Sequence, residues 1–261
     1  MTITTPEAKP PQRFYLKGLL FFCFFVSGFC GLLYQIVWMR IAFASFGVIL
    51  PVMSVVISVF MLGLSLGAWA GGKWIPLLRA RSKKSAIMFY GCAELMIGCG
   101  AFIVPKLFIF GEKLLLPLGG MESFSYLALS ALVLGISIFP WCMAMGVTFP
   151  FMMAFIEELK WDDKTGFSFL YLANVIGALF GTLLTALVLV EILGFSGALL
   201  TGAFFNFIIG LIFLRVARSW RSDSYEKLTP VKFEDSDPRG ASDECRSNQD
   251  FVYSLSCFGL F

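Results

Sequence analysis

SAIMFYGCAELMIGCGAFIVP, from Ser85 to Pro105, has one charged residue, Glu94, in twenty-one positions. A helix needs about twenty predominantly apolar residues to cross the hydrocarbon core of a bilayer. The stretch therefore reads as a transmembrane helix with a carboxyl near its middle. The whole chain agrees with this reading. Of its 261 residues 58% are hydrophobic and only 14% charged, where a soluble domain carries about 25% charged residues. The mean hydropathy is +0.84. Thirty Phe and twenty-five Gly suit an integral membrane protein, since Phe faces lipid well and Gly lets helices approach closely.

Six apolar segments are long enough to be candidate spans: Leu16–Met39, Val52–Gly72, Ala86–Phe110, Phe124–Phe149, Phe167–Val190 and Ala198–Phe213. Pro51, the loop Lys73–Ser85, the stretch Gly111–Ser123, the acidic loop Glu157–Thr165 and the turn Gly194–Gly197 separate them. Pro140 and Pro150 are expected to kink the fourth segment or end it early. The first segment does not read as a cleavable signal peptide, because its apolar run is too long and no small-residue cleavage site follows.

Orientation follows from Lys and Arg in the short connections. Lys9, Arg13, Lys17, Lys73, Arg79, Arg81, Lys83, Lys84, Lys160, Lys164, Arg215, Arg218 and Arg221 fall on one side of a six-span chain. Arg40, Lys106 and Lys113 fall on the other. The split is thirteen against three, so both termini are expected in the cytoplasm. The expected organisation is a cytoplasmic tail at 1–15, a six-span membrane domain at 16–217 and a polar cytoplasmic tail at 218–261. The last eleven residues, FVYSLSCFGLF, turn apolar again but are too few to span; they read as a truncated end or an interfacial segment.

Several chemistries are excluded. The chain has no His, which removes His-ligated haem, His-containing zinc sites and Ser-His or Cys-His nucleophiles. Cys23 and Cys30, and Cys92 and Cys99, are spaced to share helix faces; small lipid-compatible packing residues are a better reading than a soft-metal site. A net charge of +3 gives no reason to expect a nucleic-acid partner. No cofactor or metal is expected.

Two features carry more information. Gly63, Gly67 and Gly71 lie four residues apart in the second span, and Gly177 and Gly181 repeat the device in the fifth. Such stripes are smooth surfaces on which another helix packs closely. The polar residues within spans are the second feature. Glu94 lies about 12–14 Å from the cytoplasmic edge at 1.5 Å per residue, and Asn174 of the fifth span lies at similar depth. A charged group at a helix centre costs roughly 2.5–3.5 kcal/mol on insertion scales. Glu94 is therefore expected to be protonated, paired, or turned towards a polar cavity. Three roles stay open: interhelical hydrogen bonding with Asn174, a binding or proton-carrying site, and an ion pair with Arg40 at the edge of the first span. Gln35, in the outer half of the first span, and Tyr171, one turn before Asn174, complete the candidate ligand-binding set.

SGFCGLLYQIVWMR (Ser27–Arg40), MLGLSLGAWAGG (Met61–Gly72), AELMIG (Ala93–Gly98), GVTFP (Gly146–Pro150) and LYLANVIGALFG (Leu170–Gly181) occur in this order. Over roughly Gly18 to Ala217 the chain resembles the membrane half of fused major-facilitator/spermidine-synthase-like proteins. The basic loop after Gly71 resembles the major-facilitator loop motif, without its usual aspartate. Gln35 stands where that family usually has an acidic residue, and Phe169 where it often has a basic one. The resemblance implies an all-α membrane bundle of six spans like one half of a major facilitator. It also implies a transporter-like or small-molecule-binding role linked to polyamines, with the bilayer, a small cationic ligand and either a second copy or a separately encoded soluble enzyme as partners. A membrane anchor or scaffold for such an enzyme is the other class. The family's aminopropyltransferase domain needs well over a hundred residues and a Gly-rich strand–helix turn. Residues 218–261 hold only Gly240 and Gly259, so no catalytic residues are assigned. The expected location is the cell membrane, the inner membrane if the source is bacterial.

Overall fold

A computed structural model describes residues 10–47, 49–82, 85–116, 123–159 and 163–219. The expected extreme N-terminal tail, most of the polar C-terminal tail and the apolar last eleven residues lie outside these. The described residues form only helices: α1 (Pro10–Phe46), α2 (Ile49–Ser82), α3 (Ala86–Leu115), α4 (Ser123–Glu158), α5 (Asp163–Leu184) and α6 (Val190–Ser219), with a π-helical turn, Thr185–Leu189, between the last two. Five stretches are long and apolar enough to cross a membrane: Gly18–Phe46, Leu50–Arg81, Ala86–Leu115, Phe124–Glu158 and Gly166–Arg218. The molecule is a helical membrane bundle. Large apolar side chains such as Leu62, Leu66 and Trp69 on α2, and Leu172, Ile176 and Leu179 on α5, are exposed on its outside, as a lipid solvent requires.

The helices run further than the apolar segments predict. Pro51 does not separate two helices; it lies in the first turn of α2, where the missing N–H would be unpaired anyway. The expected loop after Gly72 is helix as far as Ser82, passing through Pro76. α4 ends neither at Pro140 nor at Pro150 but continues to Glu158. Backbone groups freed by proline in a membrane can be met by neighbouring helices and side chains, which removes the reason for stopping there.

The last stretch, Gly166–Arg218, is 53 residues long and would measure about 80 Å as one straight helix. It is not straight. At Gly194 the backbone leaves helical geometry with φ 67° and ψ −179°, a conformation that glycine adopts without a Cβ clash. The packing partners show the reversal. Phe25 and Phe29 of α1 meet Gly177 and Gly181 of α5 in ascending order, so these helices are parallel. Tyr34 of α1 meets Gly202, while the aromatic layer of Phe24, Tyr90 and Phe213 lies nearer the start of α1. The part of α6 after Gly194 therefore runs antiparallel to α1.

Besides α3 with α4, three close pairs build the bundle: α1 with α5, α2 with α4, and α3 with α6. Their contacts are reciprocal. Gly177 of α5 abuts the Phe25 carbonyl of α1, and Gly67 of α2 abuts the Met143 carbonyl of α4. Gly181 meets Phe29, and Gly71 meets Val147. Gly28 of α1 lies on the Asn174 carbonyl, and Gly146 of α4 lies on the Leu64 carbonyl. Between α3 and α6, Gly98 meets Phe207 and Gly210 meets Leu95. Every contact made by α1, α2 or α3 in this set has a twin made by α4, α5 or α6. The sequence echoes the pairing: Gly67-Ala68 and Gly71 match Gly177-Ala178 and Gly181, while Glu94 and Gly98 match Asn206 and Gly210. The same correspondence places Pro76 of α2 opposite Ala186, inside the π-helical turn.

Candidate functional site

Glu94 is completely buried. Its surroundings come from three helices. From α1, the Ser27 hydroxyl donates to Oε1 at 2.6 Å. From α6, the Asn206 amide donates to Oε2 at 2.7 Å. Asn206 Oδ1 accepts a long hydrogen bond, 3.4 Å, from the Tyr34 hydroxyl of α1. One turn before Glu94, the buried Tyr90 hydroxyl stands beside the same carboxyl and the Ser27 hydroxyl, without a hydrogen bond of good geometry to either. Cys30 adds a weak bond to the Gly202 carbonyl at 3.6 Å. A buried polar group that lacks a partner is costly, and both carboxyl oxygens here have one. The close approach of α3 to α6 makes the short Glu94–Asn206 reach possible. Gly91 and Gly210, nearly level with each other, leave no side chain between the two backbones.

The four predicted ligand residues are not gathered at one point. The amide that meets Glu94 is Asn206, not Asn174. Asn174 is partly buried against Gly28, at the α1–α5 seam. Tyr171 is 49% exposed and stacks on Phe167, with Phe149 of α4 edge-on to both. Gln35 is partly buried, and its Oε1 is enclosed without a hydrogen-bond partner. Glu94 meets Ser27 and Asn206 rather than Arg40, so the ion-pair expectation fails: Arg40 lies about 20 Å beyond Ser27 along α1 at 1.5 Å per residue. The five stripe glycines all lie at helix contacts: Gly63, Gly67 and Gly71 on α4, Gly177 and Gly181 on α1.

Ser27, Tyr34, Tyr90 and Asn206 are the site residues that the sequence reading passed over. Asn206 left a signal, since it precedes a glycine by four residues as Glu94 does. Hydroxyls leave none, because Ser and Tyr occur along spans without consequence.

A second polar cluster joins three helix ends. Glu158, at the end of α4, accepts from the Ser85 hydroxyl and from the Ala86 backbone N–H at 3.0 Å, at the start of α3. It also pairs with Arg79, near the end of α2, at 3.1 Å. The carboxylate thus serves as an N-cap supplied by another helix, where the helix dipole favours negative charge. Among the described residues no group of three or more Cys, Asp or Glu could hold a metal ion.

No family model, curated protein or solved structure matches this chain.

Proposed function

We propose that the chain is a transporter-like, small-molecule-binding membrane module of six spans with both termini cytoplasmic. The observation that carries this reading is the reciprocal set of contacts. Two three-helix units whose equivalent helices run in opposite directions are the architecture of inverted-repeat transporters, whose coupling and substrate sites lie at the repeat interface near the midplane. Glu94 and Asn206 occupy equivalent positions in the two units and meet each other there. The break at Gly194 favours a sixth crossing, and the thirteen-to-three charge split favours cytoplasmic termini. An intramembrane ionisable residue is by default a functional one.

The substrate class rests on the resemblance to the membrane half of spermidine-synthase-like fusions: a small cationic amine, received near Tyr171 and Asn174. Tyr171 is exposed in an aromatic cluster, and aromatic faces attract ammonium groups. The test is thermal stabilisation of the purified chain by spermidine or putrescine, because a ligand that binds only the folded form raises its stability by mass action. Stabilisation in the wild type and a weaker response in Tyr171→Ala would support the assignment. No response to any amine would end it.

A second reading, a membrane anchor or scaffold for a soluble enzyme, is favoured by one observation. Glu94 is fully enclosed, and both its oxygens are taken up by the fold itself. In that case Glu94→Gln is nearly silent and the partner binds the cytoplasmic face.

A further inference from the structure

We infer that Glu94 is the seat of a small monovalent cation, held where α1, α3 and α6 meet. The carboxyl lies at zero exposure, and what surrounds it has one chemical character. The titratable groups within electrostatic reach are Cys23, Cys30 and Tyr34 on α1 and Tyr90 on its own helix. All four are acids, and none can be positive. From α6 comes Asn206, which is neutral. The Arg79–Glu158 ion pair lies at the ends of α2 and α4, away from this carboxyl. Among the described residues a carboxylate in this position has no counter-charge, and an isolated buried charge is prohibitively costly. The neutralising positive charge comes from outside the chain.

Oxygen is what the site offers. Glu94 contributes two oxygens and Ser27 a third. Asn206 can contribute Oδ1 by turning its amide, and the bond from Tyr34 is long enough to yield. The Tyr90 hydroxyl, buried and unpartnered beside the carboxyl, is the fifth. An all-oxygen set with one carboxylate suits a hard monovalent ion such as sodium, and a proton satisfies the same need for charge. A polyamine is excluded from this point by the completeness of the enclosure. The inference deepens the transporter-like reading by naming its coupling ion. It is tested without any amine, so its failure leaves the amine test untouched.

The experiment uses the purified full chain in detergent. One arm compares melting temperature in sodium and in choline chloride at equal ionic strength, for wild type, Glu94→Gln and Tyr90→Phe. The other records the infrared C=O band of a protonated carboxyl as the difference between wild type and Glu94→Gln. If sodium is the ion, sodium alone raises the melting temperature of the wild type. Glu94→Gln then loses the response, and Tyr90→Phe needs about tenfold more sodium for the same shift, the loss of one ligand oxygen. If the ion is a proton, the first arm is flat and a protonated-carboxyl band vanishes in Glu94→Gln. Should Glu94→Gln fail to fold, the Tyr90→Phe sodium titration and a shift of the wild-type band in Tyr90→Phe decide instead. A sodium response that is the same in every variant, or a flat first arm with no carboxyl band dependent on Glu94 or altered by Tyr90→Phe, overturns the inference.

Discussion

At the scale of residues, Glu94 and Asn206 are a matched pair, and exchanging them separates packing from position. Asn206→Glu alone sets two carboxyls against each other and should be the most damaging single change. The double variant Glu94→Asn/Asn206→Glu restores one acid and one amide across the contact. It should melt well above Asn206→Glu, with a coupling of about 0.5–3 kcal/mol, the range for residues in direct contact. Equal melting temperatures would show that the two side chains do not act as a pair. Glu94 was legible in the sequence because a lone charge in an apolar run is conspicuous. Its partners were not, since choosing Asn206 over Asn174 requires knowing which helix faces which. Depth alone made both amides equally suitable.

At the scale of elements, the seams make a sharper prediction than the polar groups. A Cβ at Gly67 would strike the Met143 carbonyl, and one at Gly177 the Phe25 carbonyl, whereas one at Gly72 would meet nothing within 4 Å. Backbone cannot move aside as a side-chain end can. Gly67→Ala and Gly177→Ala should each cost about 1–3 kcal/mol, typical of overpacking, while Gly72→Ala should leave the melting temperature unchanged or slightly higher. If all three behave alike in a thermal melt, the stripes do not set the helix spacing. The glycine period of four was readable in sequence because it matches the helix repeat. The helix ends were not, because Pro51 and Pro76 look like breaks to any local rule. The cluster on Glu158 gives a graded expectation. Glu158→Ala strands the Ser85 hydroxyl and the Ala86 N–H and should cost about 1–3 kcal/mol. Arg79→Gln removes an ion pair whose cation is 25% exposed and should cost about 0.2–1 kcal/mol. Chemical melts of the two variants would show a reversed order if the charge rather than the cap matters.

At the scale of the whole molecule, the bundle was legible to the extent that hydropathy decides it. Apolar length located the five membrane-length stretches, and the helical membrane class follows from that. The pairing of α1 with α5 and α2 with α4 was hidden, since it is a property of faces rather than of lengths. Topology is testable directly. A reporter inserted after Gly120 is expected outside the cell, and Cys245 is expected to be labelled from the cytoplasmic side; an outside-only signal from a C-terminal reporter would contradict six crossings.

The reciprocal contacts have a consequence for heredity as well as mechanics. A chain whose first three helices meet its last three through duplicated contacts is, in contact terms, a dimer of three-helix units joined head to tail. Such an object descends most simply from a single short gene whose product inserted in both orientations and was later copied in tandem. The join between α3 and α4 is then dispensable. Two co-expressed fragments divided within residues 117–122 should find each other in the membrane and co-purify, and neither should be stable when made alone.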